Sequence, residues 1–227
     1  MLDFNLFTFL KQRYERIFEQ RDFFEICVYL MVYILNKICF THIMRICILD
    51  SDDAKASFNI NSHFKFQKIS PEHLKDYDYN THRISDKTIE IACHNNDILY
   101  IATPINSKKI VSYGWYSINP TVINNEFILH FPDTRLYMFN GYTEPDYRGF
   151  RLHALGMQYG ALDASTFARD GLVSYVDAEN YRSLRSCRRL GYKFIGYIFI
   201  FKILGHAWIF HSVGAKKYQV MLKCYKK

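Results

Sequence analysis

The sequence predicts a mixed α+β chain: a mostly antiparallel central sheet flanked by helices, with a helical extension ahead of it. Three observations predict it. Between Phe64 and Thr143, short runs of alternating apolar and polar residues are separated by turn residues. From Arg148 the apolar period changes to about 3.6. Beyond Gly171, strand, capped-helix and strand signals follow in close order.

Composition bounds the answer. The chain has 227 residues, 49% apolar and 22% charged, and at this length it buries roughly 70% of its unfolded surface. Disordered and low-complexity classes are excluded. The formal charge of +7 is unevenly placed. Asn180 to Lys227 holds eleven Lys and Arg and no acid, which leaves the first 179 residues at −4. Such a block suits an anionic partner, whether a phosphorylated cofactor, nucleic acid or a membrane face, and equally a solvated basic surface. Cysteines at 27, 39, 47, 93, 187 and 224 form no Cys-x-x-Cys pair and have no His at zinc spacing, so neither a metal site nor a disulfide framework is expected. The start, Met1-Leu2-Asp3-Phe4, lacks an export signal, and a cytoplasmic location is expected, at most peripheral to the inner face of the membrane.

Taken in order, residues 5–37 read as helical, because Phe7, Leu10, Tyr14, Ile17 and Phe18 repeat at helical spacing. Phe23 to Leu35 is apolar nearly all round and needs a cover: the main domain, a second copy of the chain, or a membrane surface met through residues 5–49. Ile43 to Leu49 reads as a strand and Asp50 to Ala56 as a polar connection, which closes an extension at 1–56 before a domain at 57–227. Phe64 to Ile69 alternates as a strand, and Ser70-Pro71-Glu72 starts a helix. A short helix near Ile89 to His94 precedes a hairpin of Ile98–Ala102 and Ile110–Tyr116 about the Asn106-Ser107 turn. Glu126–Phe131 and Leu136–Thr143 follow as strands.

The helix from Arg148 carries an apolar stripe, Leu152, Leu155, Tyr159 and Leu162, and a small-residue stripe, Gly156, Gly160 and Ala164, which suits close approach to a sheet. Leu172–Val176 is a strand, Asn180 caps a helix to Leu190, and Gly191 stops it. Tyr192–Lys202 and Ala207–Cys224 read as two long strands.

The informative segment runs from Tyr142 to Leu155. A strand-to-helix turn carrying Arg148, Gly149 and Arg151 leaves free N–H groups at the positive end of a helix dipole, a ready site for phosphate. Pro145-Asp146-Tyr147-Arg148-Gly149, the helix after it, the strand ending in Val176, Asn180, and Leu190 to Gly196 together resemble the signature of the GNAT (Gcn5-related N-acetyltransferase) superfamily, over about residues 64–205. The resemblance implies an acyl-CoA transferase fold and acetyl-CoA or another acyl-CoA as co-substrate, with no metal. In such proteins the strand before the turn, here Leu136 to Thr143, parts from its neighbour and its backbone binds the pantetheine arm, while turn amides hold the pyrophosphate. This points to Tyr142, Thr143, Arg148, Gly149, Phe150, Arg151, Leu152, His153 and Asn180 as cofactor-binding residues.

Two departures stand out. Arg151 and His153 replace the family's second and third small residues, and Cys187 stands where the family often has the Tyr that protonates the departing thiolate. Acyl transfer needs a neutral amine, oxyanion stabilisation and a proton for the thiolate. Glu144, Glu126 and His130 are candidate bases, His153 a candidate shuttle and Cys187 a candidate acid. Arg182, Arg185 and Arg189 share a helix face that suits the nucleotide end. The expected acceptor is a small-molecule, sugar or lipid-linked primary amine. A non-catalytic acyl-CoA-binding module is the alternative, and a nucleic-acid partner is not expected, because the basic end is richer in Ile and Phe than in spaced surface cations.

Overall fold

The computed structural model describes residues 27, 31, 34, 40–57, 63–123, 126–204 and 206–225. The predicted helix over 5–37 therefore lies outside the described residues except for Cys27, Met31 and Ile34, which are helical.

The elements run in chain order as β1 (Phe40–Asp50), α1 (Ser51–Ser57), β2 (Phe64–Ile69), α2 (Asp86–Asn95), β3 (Ile98–Pro104), β4 (Ser112–Ser117), β5 (Thr121–Ile123), β6 (Phe127–His130), β7 (Arg135–Thr143), α3 (Leu152–Asp163), β8 (Gly171–Asp177), α4 (Tyr181–Arg189), β9 (Lys193–Ile203), β10 (His206–His211), α5 (Val213–Lys217) and β11 (Met221–Cys224). Eight strands form one sheet in the order β10-β9-β1-β8-β7-β4-β3-β2, and β11-β6-β5 form a second. Every pairing in the large sheet is antiparallel except β7 with β8. The fold is mixed α+β with a large, mostly antiparallel sheet flanked by helices, as the alternation and period change predict.

Alternation of side chains gives the large sheet two faces. On the front, Cys47, Leu49, Tyr100, Tyr116, Leu136, Met138, Leu172 and Val176 pack against α3 and α4 through Ala154, Met157, Ala161 and Leu184. On the back, Met44, Ile46, Tyr137, Val173 and Ile198 meet the small sheet through Ile123, Phe127, Leu129 and Leu222, and Leu99, Ile101, Tyr113 and Trp115 meet Leu74, Ile84 and Ala92 near α2. The small-residue stripe is half explained by this packing. A Cβ on Gly160 would lie 2.8 Å from the Tyr116 ring, whereas one on Gly156 would meet nothing within 4 Å.

Several expectations need correction. The strand expected in the extension is β1, and it sits mid-sheet between β8 and β9. Met44, Ile46, Cys47 and Leu49 are fully buried there, so this part of the 5–49 segment contacts the chain's own core, and the expected boundary at 56 does not coincide with an edge of the sheet. Asp50 to Ala56 is no mere connection: Asp52 and Asp53 fall in the first turn of α1, where acids favour a helix. β6 leaves the expected meander to pair with β5 and β11. Ala207–Cys224 is broken because the Ser212 side chain accepts the Ala215 N–H and caps α5. Finally, α3 begins at Leu152, four residues after Arg148, since a 3-10 turn ends at Tyr147 and Gly149 and Arg151 then both take positive φ before the helix can start.

Candidate active site

The strands that the sequence places on either side of the site part company. β7 pairs with β8 only at Arg135, Leu136 and Tyr137, against Gly171, Leu172 and Val173. Beyond that point β7 follows β4 while β8 follows β1, and a wedge opens between residues 138–143 and 174–177. A bulge bends β7 away: Tyr113 lies opposite Tyr142 and Trp115 opposite Phe139, so Asn140 and Gly141 together oppose the single Gly114. Asn140 is left-handed at φ 45°. It and Gly141 are solvent-exposed although their strand is internal to the sheet. Strand edges that face a gap carry backbone donors and acceptors available to an extended guest.

At the wide end of the wedge the chain turns into α3. Gly149 takes φ 96° and a Cβ there would meet nothing within 4 Å, so glycine is demanded by backbone conformation, not by space. Arg151, at φ 60° and ψ 22°, occupies the N-cap position without a side-chain cap bond. Leu155 N–H is the first to close a helical bond, onto Arg151 O at 2.9 Å. The N–H groups of Leu152, His153 and Ala154 consequently head the helix dipole with no partner inside the helix. They open onto a cleft of about 270 Å³ lined by Thr143, Tyr147 and five arginines, Arg148, Arg151, Arg182, Arg185 and Arg189. No acid lines it. The three arginines of α4 reach it because positions 182, 185 and 189 fall on one helix face, as their spacing predicts.

His153 fills the corner between wedge and helix. A Cβ on Gly141 would lie 2.0 Å from its Cε1 and 2.7 Å from its Nδ1, so its imidazole rests directly on the β7 backbone. Burial pushes its pKa below the usual imidazole value, and the ring is neutral at physiological pH. The turn thus accommodates the His153 side chain by leaving β7 bare at Gly141.

The remaining expected residues lie in different places. Phe150 is exposed against the Phe64 ring at 5.5 Å. Leu152 is buried. Thr143 Oγ1 bonds Ser112 Oγ at 2.8 Å. The Asn180 side chain accepts the Ser183 N–H at 3.2 Å and serves as the α4 cap. Cys187 does not line the cleft; it is buried in the front core near Cys47, whose thiol donates to Ser174 O at 3.6 Å, and the neighbouring Cys187 together with burial pushes the Cys47 thiol well up. Tyr142 and Glu144 are on the back face. Glu144 accepts from the Tyr142 hydroxyl and from Asn80 Nδ2, both at 3.3 Å, and Arg83 lies 4.7 Å over the Tyr142 ring. Glu126 is paired with Lys202 at 2.7 Å, and His130 belongs to the small sheet opposite Met221.

Sequence reasoning missed one arrangement. His42 of β1 and Asp177, the last residue of β8, meet at 2.7 Å through Nε2 and Oδ1. They are 135 residues apart, and no local spacing signals them.

No family model and no curated protein matches this sequence. Solved structures do. A Drosophila protein solved by X-ray crystallography is 12% identical, with a TM-score of 0.50 over 79% of this chain and 57% of its own. A structure described as a GNAT-family acetyltransferase from Novosphingobium aromaticivorans is 11% identical, with a TM-score of 0.49 over 70% of this chain and 62% of its own. A GCN5-related N-acetyltransferase from Kribbella flavida is 12% identical, with a TM-score of 0.46 over 84% and 66%. The chain spans less than two thirds of the length of each. At such identities the likeness is one of fold.

Proposed function

We propose that the chain is an acyl-CoA-dependent N-acyltransferase that passes an acyl group from the thioester to a primary amine by direct attack. One observation carries this reading: a wedge between two parallel strands leads straight to a cleft that combines helix N–H groups with five arginines. That pair of features fits a ligand that is an extended, amide-bearing tether at one end and a polyphosphate at the other. In this reading the tether takes the place of a strand beside β7, through the backbone of Tyr142, Thr143 and their neighbours. The diphosphate takes the N–H groups of Leu152, His153 and Ala154, with Arg148 and Arg151 beside them, and the α4 arginines take the remaining phosphate. Gly149 and Phe150 shape the turn. Holding thioester and amine together supplies much of the rate, because a bimolecular step becomes effectively unimolecular.

A second reading, an acyl-CoA-binding module without turnover, is favoured by the burial of Cys187, which removes that side chain from contact with a departing thiolate. Thiol release from acetyl-CoA against a panel of primary amines separates the two, with calorimetric titration of acetyl-CoA alongside. Binding with turnover supports the transferase, binding without turnover supports the module, and absence of binding refutes both. Arg185→Ala should weaken acetyl-CoA by about tenfold, the loss of a charge-assisted phosphate contact.

A further inference from the structure

Three separate stretches of the chain meet at one end of the large sheet. β9 and β10 turn over there, and β10 is an outermost strand. β1 starts there, with Phe40 opposite Lys202. β11 finishes there too: the Tyr225 N–H donates to Glu126 O at 2.7 Å, and Glu126 pairs with Lys202 at 2.7 Å.

The fold leaves apolar side chains in water at this end. Leu204, in the turn between β9 and β10, is 93% exposed and left-handed at φ 48°, a conformation that is costly for a leucine. Such a side chain adds backbone strain and returns no burial, so its value lies in contact with something outside the chain. Beside it, alternation puts His206, Trp208 and Phe210 on one face of β10, all exposed, with the Trp208 ring 6.2 Å from Phe201 and 6.3 Å from His206. Cys27, Met31 and Ile34, which precede β1 in the sequence, are helical, exposed and spaced for one helix face. The charge here is basic. β9, β10 and β11 carry no acid, Lys223 is exposed on β11, and Lys226 and Lys227 follow Tyr225 in the sequence. The acids nearby are Glu126, already paired, and Asp177 and Glu179 at the close of β8, across β1 from the turn.

We propose that this end of the molecule docks on an anionic lipid bilayer, with the turn between β9 and β10 as the inserting element. The centre of a protein–protein interface is depleted of lysine. An apolar tip backed by a tryptophan and rimmed by lysines instead matches the layers of a bilayer surface: acyl chains, the belt where Trp settles, and anionic headgroups. Leu204 and Trp208 are four residues apart, at most about 13 Å along a strand, so with Leu204 at the acyl boundary Trp208 stands at headgroup level. Insertion is end-on and shallow, about 5–10 Å, which keeps the free edge of β10 hydrated. The wedge between β7 and β8 widens toward the same end of the sheet, because Asp177 of β8 lies opposite Met44, near the start of β1. Docking therefore turns the wide end of the candidate site toward the membrane, although the surface itself does not depend on the acyl-CoA reading.

The test titrates the full chain with vesicles of phosphatidylcholine mixed with phosphatidylglycerol, and with vesicles of phosphatidylcholine alone, by co-sedimentation and tryptophan emission. The chain has two tryptophans and Trp115 is buried, so emission reports Trp208. Binding should be weaker by about tenfold or more without phosphatidylglycerol, with a blue shift of Trp208 on the mixed vesicles and quenching by lipid brominated near the headgroup end of the acyl chain. Leu204→Asn removes the apolar side chain while supplying a residue that accepts the left-handed conformation. It should keep or raise Tm and lower the partition coefficient by about tenfold, and Lys223→Gln should lower it by about fivefold. If Leu204→Asn fails to fold, quenching of Trp208 decides. Wild type that leaves the mixed vesicles unbound overturns the proposal, as does binding that Leu204→Asn leaves within about twofold. A dimer in sedimentation that Leu204→Asn disperses, with no vesicle binding, overturns it in favour of a second copy of the chain. Calorimetric titration with acetyl-CoA is read separately: its failure refutes the transferase reading and leaves the vesicle result standing.

Discussion

A methyl group added at Gly141 is the smallest change that reads the contact between the parted strand and the helix behind it. Gly141 is not left-handed, so alanine brings no backbone strain and its cost is steric alone. The new Cβ would lie 2.0 Å from His153 Cε1, 2.7 Å from His153 Nδ1 and 2.8 Å from Met138 Cε, where real contacts do not fall below 3.0 Å. The imidazole must therefore shift by about 1 Å out of a packed corner, which costs about 1–3 kcal/mol by overpacking. In a chain of this length about 2 kcal/mol lowers Tm by roughly 4–8 °C. His153→Ala removes the obstacle, so in the double variant most of that cost disappears, with a coupling of about 1–2 kcal/mol. Urea unfolding of the four proteins of the cycle measures it. A double variant that is additive to within about 0.5 kcal/mol would refute the placement of His153 on the β7 backbone.

Other predictions follow from single residues. Arg151→Gly should relieve the left-handed strain and raise stability by about 1 kcal/mol in thermal melts, while weakening acetyl-CoA by about tenfold in calorimetry; unchanged affinity would remove Arg151 from the phosphate site. Burial holds the His153 pKa down, so the unfolded chain binds more protons than the folded one between the two values. This contribution to stability is intact above the unfolded imidazole pKa of about 6.5 and is lost as pH falls through the folded value. Urea midpoints of His153→Ala should accordingly fall less between about pH 7.5 and 5 than those of wild type, and equal slopes would contradict it. Asp97 has the opposite sign: burial pushes its carboxyl up to about 6, and one of its oxygens is buried without a hydrogen bond. Its contribution is present below the ordinary carboxylate range and is lost as pH rises through about 6. Asp97→Asn should then gain about 1–3 kcal/mol near pH 7.5 and nothing below about pH 4, and a gain independent of pH would contradict it.

What the sequence made legible was what local chemistry decides. β2 follows from alternation, β3, β4, β7 and β8 from short apolar and aromatic runs between turn residues, and α4 from Asn180 at one end and Gly191, at φ 88°, at the other. The Arg148-Gly149 turn and the spacing of Arg182, Arg185 and Arg189 located the cleft for the same reason. The central place of β1 was not legible, because its neighbours are set by pairing with Gly171–Asp177 and Lys193–Lys202, far along the chain. Nor was the start of α3, since nothing in the run Arg148 to Arg151 announces that an arginine takes a left-handed conformation where glycine is the usual choice. The Gly141–His153 contact and the His42–Asp177 pair are tertiary in the same sense. Each joins residues that no periodicity connects, although the pairing of a bare glycine on β7 with a bulky residue in the turn is intelligible as one compensated exchange.

Hydrogen–deuterium exchange with and without acetyl-CoA tests the wedge most directly. Peptides covering 138–143 of β7 and 174–177 of β8 should exchange readily in the free chain for those amides that face the gap, and should be protected when acetyl-CoA is added, together with the amides of 152–154 at the head of α3. Protection confined to the arginines' own helix, or exchange along 138–143 that acetyl-CoA leaves unaltered, would contradict the account.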